Sequence, residues 1–128
     1  MVLSLFKERK PKKKSRRSYL VKALDAIVSR KVRDRDGNRC RKCGRERVYH
    51  HHIFTKTRLT TRWDLANGVS LCFFCHRWAH AAAEEFRQWI ISFMGEKDYN
   101  SLYVKSQFRG GFKDVDLEFL LKEMRRAA

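Results

Sequence analysis

Four cysteines and five histidines fall between positions 40 and 80, and their spacing suits metal coordination. Cys40-Arg-Lys-Cys43 and Cys72-Phe-Phe-Cys75 form two C-x-x-C pairs, each able to aim two sulfurs at one point. Zinc in structural sites takes four thiolate or imidazole ligands in a tetrahedron. The 28 residues between Cys43 and Cys72 let the chain leave and return, and closing so long a loop through a metal offsets much of its closure entropy. A redox C-x-x-C pair wants a thioredoxin-like context that is lacking here, and two disulfides belong to secreted chains. Four sulfurs on zinc make a closed site, which holds a frame and does no catalysis.

The histidines suggest different chemistry. His50, His51 and His52 are consecutive, whereas His76 and His80 are four apart and share one helical face. One strand-borne histidine and a helix-borne pair can converge on a single divalent cation, for which imidazole is a suitable donor. A neighbouring neutral histidine, titrating near neutral pH, can act as a general base. Any one histidine alone is more simply a solvent-facing or satisfied core residue. The cysteine pairs alter that balance, because Cys72 and Cys75 fix the start of the helix that carries His76 and His80.

Elements to position these groups are legible in the hydrophobic pattern. Leu20, Leu24, Ile27, Val28 and Val32 recur at helical spacing after Ser18, a fitting N-cap, and Asp36-Gly37 marks a stop. This stripe is expected to pack on the zinc-bearing core. Residues 48–53 read as a short strand and Val69-Ser70-Leu71 as a second, with Asn67-Gly68 as a turn signal. Residues 54–66 read as a polar loop offering Lys56, Arg58, Arg62 and Trp63 to solvent. One helix is expected from His76 through Phe86, Trp89, Ile90 and Phe93 to a stop at Gly95, its apolar residues core by spacing. Leu102 and Tyr103 suit a short helix or turn, and Arg109-Gly110-Gly111 a break. Val115, Leu117, Leu120, Leu121 and Met124 give a final amphipathic helix from Asp114.

The fold class expected is therefore α+β, in one domain over residues 18–128, with a metal-bearing core at 38–94 and a helical extension at 95–128. Its 128 residues, 43% of them hydrophobic, suit a modest core that a metal clamp would stabilise. Thirty Lys and Arg against 14 Asp and Glu give a net charge of +16, which favours a polyanionic partner. Residues 1–17 read as a basic, flexible arm whose binding to phosphates would be salt-dependent. No apolar run approaches a membrane span, and the short apolar start precedes lysines too soon for a signal peptide, so a cytoplasmic location is expected.

His51-His52-Ile53, Asn67 fifteen positions after His52, and Leu71-Cys72-x-x-Cys75-His76 together resemble the HNH endonuclease motif. The nine-residue step from Asn67 to His76 and four more to His80 are also similar to colicin nuclease domains. The paired cysteines resemble those of zinc-containing HNH proteins common in bacteriophages, and Thr61-Arg-Trp-Asp-Leu-Ala-Asn67 looks like the same group, lambdoid recombination endonucleases included. The resemblance covers about residues 30–80 and says little of the basic arm or of residues 95–128.

The resemblance implies a ββα-metal core, two antiparallel strands and a helix around one divalent ion. It implies His52 as the general base, His51 and His76 as ligands, and His80 as a third ligand or phosphate contact. Asn67 would fix the connecting loop and orient His52 through its ring. His50 has no assigned role. The catalytic ion would be Mg²⁺, Mn²⁺, Ni²⁺ or Zn²⁺, and the structural one Zn²⁺. The activity implied is DNA endonuclease or nickase, leaving 5′-phosphate and 3′-hydroxyl ends, with Lys56, Arg58, Arg62 and Arg77 as candidates for holding phosphates. A phage origin, with packaging or recombination proteins as partners in the host cytoplasm, is compatible with this. The alternative is a non-catalytic, zinc-stabilised DNA-binding protein, which would have no need of the His51-His52, Asn67 and His76 set.

Overall fold

Ser15 opens the first helix, α1 (Arg16–Arg35), its Oγ accepting the Ser18 backbone N–H at 3.2 Å. The computed structural model describes residues 15–127. The helix thus starts before the expected Ser18 cap. Two arginines of the basic stretch belong to it because α6 (Asp114–Arg126) pairs them: Arg16 meets Glu118, and Arg17 meets Asp114 and the Phe112 carbonyl. Residues 1–14 of the expected flexible arm lie outside the described residues.

The apolar stripe of α1 meets the 38–94 core at Trp63 and, through Val32, beside Gly68, and its other partner is the last helix. Leu20, Leu24, Val28 and Val32 are buried against Leu117 and Leu121 of α6 and against Trp63, forming one of two hydrophobic clusters. Its acidic residue Asp25 explains why the 54–66 segment is less loop-like than its polarity suggests. Arg62, ending the single-turn helix α2 (Leu59–Arg62), makes a two-pronged contact with Asp25 at 2.7 and 3.0 Å. Trp63, carried by the same polar segment, is 3% exposed and donates its indole N–H to the same carboxylate at 2.8 Å.

β1 (Val48–His52) and β2 (Gly68–Cys72) pair antiparallel, with His51 opposite Val69 and His52 opposite Gly68. Alternation puts His51, Val69 and Leu71 on one face and His50 and His52 on the other. The face bearing His51 meets the second cluster, in which Val69 and Leu71 pack with Ala79, Phe86, Ile90 and Tyr99. These come from α3 (Phe73–Ala81), α4 (Ala83–Met94) and α5 (Glu96–Gln107). The single helix expected from His76 to Gly95 is two helices, broken at Ala82, whose φ of −122° and ψ of 64° leave the helical region. Phe86 and Ile90 are buried as expected, but Phe93 is 44% exposed. Leu102 and Tyr103 lie in a twelve-residue helix, longer than the short helix or turn expected, and α6 matches the final amphipathic stretch. Among the described residues the architecture is α+β, six helices around one two-stranded sheet.

Candidate metal centres

The first C-x-x-C turn folds tightly before β1. Gly44 donates to the Cys40 carbonyl at 2.8 Å and takes a φ of 81°, a left-handed geometry that glycine adopts without strain. Arg41 donates its backbone N–H to the Ser70 carbonyl on β2, tying this turn to the strand that ends in Cys72. Cys72 is also the N-cap of α3, its sulfur facing the Cys75 N–H at 3.5 Å. All four sulfurs lie within 4.8 Å of one another, with Cys43 and Cys72 at 3.5 Å. A tetrahedron with metal–sulfur bonds of ~2.3 Å separates its sulfurs by ~3.8 Å. Cys40, Cys43, Cys72 and Cys75 therefore form a cluster that could hold a structural metal ion and is compatible with zinc. Burial opposes ionisation of Cys72, but the Cys75 N–H and the neighbouring thiols outweigh it and hold it at about 6. Burial and its three partners push Cys75 up instead. One thiol is thus ready to ionise at neutral pH, which a metal ligand needs.

A second cluster lies one turn further along α3. His51 from β1 and His76 and His80 from α3 each offer one ring nitrogen, again all within 4.8 Å. The Nε2 atoms of His76 and His80 are 3.0 Å apart. His51 is buried and meets both rings edge-on, at centroid distances of 5.1 and 5.0 Å, with Phe86 behind it at 4.8 Å. Burial, then the neighbouring His76 and His80, lower His51 to about 3, and burial with His80 lowers His76. Both shifts favour the neutral ring, the form in which a histidine binds a metal. The cluster grades from buried His51 through half-buried His76 to exposed His80, so its outer side is open. Three ligands with an open side differ in kind from the four-sulfur cluster, and imidazole donors suit zinc, nickel, cobalt and copper better than the oxygen-seeking Mg²⁺. His80, assigned no settled role by its spacing, stands in the same cluster as His51 and His76.

His52 ends β1 on the opposite face, its ring 4.3 Å from that of His50. Burial lowers it, with the Asp25 carboxylate and a hydrogen bond to the Arg62 backbone carbonyl opposing. His50 points towards α1, where its Nδ1 meets Ser29 Oγ at 2.9 Å, and burial, then His52 and Arg33, lower it to about 4. Its Nε2 is buried without a hydrogen-bond partner among the described residues. His50 is thus a packing residue under Gly68. Ser29 carries no signal of this contact in the sequence, whereas the period-two alternation of a strand already turns His50 to the other side from His51.

Asn67 is fully buried at the end of a 3-10 turn (Leu65–Asn67), and its amide bonds backbone. Its Oδ1 accepts the Phe54 N–H at 2.8 Å, its Nδ2 donates to the Phe54 carbonyl at 3.0 Å, and its own carbonyl accepts from Ile53 at 2.8 Å. Any influence on His52 runs through the chain leaving β1. The side-chain amide is taken up by its two bonds to Phe54, and no hydrogen bond joins it to the His52 ring among the described residues.

Of the arginines and lysine proposed to hold phosphates, Arg77 borders the histidine cluster, lining an open cleft with Phe73, His76, His80 and Ala81. Arg62 is engaged by Asp25, so its guanidinium is directed inward. Lys56 and Arg58 lie on the β1–β2 connection, and Arg58 lines a separate cleft with Thr55, Thr57 and Phe108. Two residues that spacing did not flag organise the back of the sheet. Buried Asp36 accepts the Ser70 N–H at 3.0 Å and both prongs of Arg35, which also reaches the Leu65 and Gly68 carbonyls. Comparisons with protein-family models, curated proteins and solved structures found no match.

Proposed function

We propose that this chain is a metal-dependent DNA endonuclease or nickase of HNH type, with His51, His76 and His80 holding one catalytic divalent ion and the four cysteines holding a structural zinc. The observation that carries the reading is the open three-imidazole cluster, set on a strand and a helix in the order β1, β2, α3, as a ββα-metal core requires. The net charge of +16 suits DNA as the partner. A phage origin and a place in the host cytoplasm remain part of this proposal on the sequence resemblance. Among the described residues no helix is long and apolar enough to cross a membrane.

A bound divalent ion would supply the charge that offsets the anionic phosphate and the developing negative charge on a leaving oxygen. The chain's own residues would do the rest. Arg77, at the rim of the cleft, binds a neighbouring phosphate oxygen. Burial favours the neutral form of His52, the form that can take a proton from attacking water. Because His52 is the last residue of β1, a phosphate lying across that strand end can reach it and the cluster on the other face. Asn67 fixes the chain on which His52 is carried.

The test is incubation of supercoiled plasmid with the full chain and Mg²⁺, Mn²⁺, Ni²⁺ or Zn²⁺, beside His76→Ala and His52→Ala. Relaxed or linear plasmid with wild type, and loss of cutting in both variants, is the expected result. His52→Ala should retain ion binding by calorimetry, whereas His76→Ala should lose it. Plasmid left intact under every ion would overturn the enzyme reading in favour of a zinc-stabilised DNA-binding protein.

A further inference from the structure

Five large aromatic rings lie on α3 and α4 in two groups. Phe73 and Phe74 are 52% and 63% exposed, with their rings 5.6 Å apart. Trp78 lies one helical turn beyond Phe74, Trp89 follows at 6.3 Å, and Phe93 stacks on Trp89 at 5.2 Å. The two tryptophans are half-buried against the core, whereas the three phenylalanines leave aromatic surface exposed for a partner to cover.

Four cations lie over four of these rings. Arg41 sits 5.3 Å from the Phe93 centroid, Lys42 4.5 Å from Trp78, Arg45 5.0 Å from Phe74 and Arg77 5.6 Å from Phe73. Three of the four come from the turn around Cys43, so the cysteine cluster sets the position of the cations relative to the rings. All four cations are exposed, and none has an ion pair or hydrogen bond with another described side chain. Elsewhere the chain pairs its arginines readily, as Arg62 with Asp25 and Arg35 with Asp36 show. Phe73 and Arg77 also line the cleft of His76 and His80.

We propose that these rings form a track for single-stranded DNA, on which unpaired bases stack while Arg41, Lys42, Arg45 and Arg77 hold the phosphates, delivering the strand to the histidine cluster. Alternating aromatic faces and unpaired cations match the two surfaces of a single strand, flat bases and an anionic backbone. A duplex hides its base faces and could use only the cations. The inference takes DNA as partner from the proposed activity and adds the substrate class, strands with unpaired bases. It needs no cutting to be tested.

The experiment is fluorescence anisotropy of a short labelled oligonucleotide, single-stranded or annealed to its complement, with the zinc-loaded full chain over a range of salt. The single strand should bind more tightly than the duplex and quench tryptophan fluorescence. Phe74→Ala should weaken single-strand binding by about five- to a hundredfold, the range for losing one stacked base, and leave the salt dependence unchanged. Phe74→Trp should restore it. Arg45→Gln should instead lower the slope of log affinity against log salt by roughly 0.7, one phosphate contact. Phe74 is exposed, so its variants should fold, and circular dichroism checks this. Phe73→Ala repeats the test at the cleft. Equal or tighter duplex binding, or single-strand binding unchanged in both alanine variants, would overturn the track and leave the rings as a cation-covered surface. Intact plasmid in the cutting assay with preserved single-strand binding would remove the nuclease and keep the track.

Discussion

Replacing Asn67 tests the joint that carries β1 into the following loop. The side chain is fully buried and closes a two-point bond with the Phe54 backbone at 2.8 and 3.0 Å. In Asn67→Ala the Phe54 N–H and carbonyl lose both partners. Each buried group left unsatisfied costs about 1–3 kcal/mol, and Phe54 is only half-buried, so water recovers part of this. The expected loss is about 2–3 kcal/mol, or roughly 10 °C in Tm for a domain of this size. Asn67→Asp sharpens the reasoning. It keeps an acceptor for the Phe54 N–H but turns a carboxylate oxygen towards the Phe54 carbonyl, where two acceptors repel. At neutral pH it should be no more stable than Asn67→Ala, and it should gain relative to alanine as acid protonates the carboxyl and restores a donor. Thermal melts of the zinc-loaded proteins across pH read both effects. An aspartate variant as stable as wild type at neutral pH, or an alanine variant within about 0.5 kcal/mol of it, would refute the two-point bond.

Three further outcomes follow from the same geometry. Cys72→Ser keeps a good N-cap for α3 but replaces a zinc thiolate with a poor ligand, so it should lose one zinc per chain and the cooperative melt of the central module. Elemental analysis and calorimetry measure this, and unchanged zinc and Tm would rule out the four-cysteine site. Gly68→Ala would place a Cβ 2.5 Å from His50 Nε2 and 2.8 Å from Val32 Cγ2; the overpacking should cost about 1–3 kcal/mol in denaturant melts, and less in a His50→Ala background. For Asp36, burial works to raise the carboxyl, but Arg35 and the Ser70 N–H outweigh it and hold it below its ordinary 3.8. A carboxylate depressed on folding stabilises above its unfolded value, and that contribution is lost as pH falls through the lower folded value. Asp36→Asn should therefore cost about 1–2 kcal/mol at neutral pH and show a flatter acid limb below about pH 4, and equal limbs would remove Asp36 from the account.

The two cysteine and histidine clusters are the most legible part of the chain because ligand chemistry fixes spacing locally. Two C-x-x-C pairs and an i, i+4 histidine pair mean much the same in any context. The contacts around them were hidden because they join distant residues. Nothing near Arg62 or Trp63 announces Asp25, 37 residues earlier than Arg62 on another helix, so a polar segment read as loop was given to solvent. The break at Ala82 sits within Ala81-Ala82-Ala83, good helix formers whose propensity tertiary packing overrides. The α1 stripe was read correctly as apolar, but periodicity says that a face is buried and not against what. One partner, α6, lies at the far end of the chain.

Cys75 and His76 are consecutive, and α3 with its N-cap Cys72 carries two members of each cluster. Ions at the two clusters would therefore load in a coupled way. An ion held by the sulfurs would organise the helix start that the imidazoles share, and so lower the ordering cost of a second ion. By linkage, a second ion would tighten the first by the same factor. A chelator strong enough to strip the thiolate site would silence the imidazole site without touching it, and the order of metal addition would set the apparent affinity measured at each.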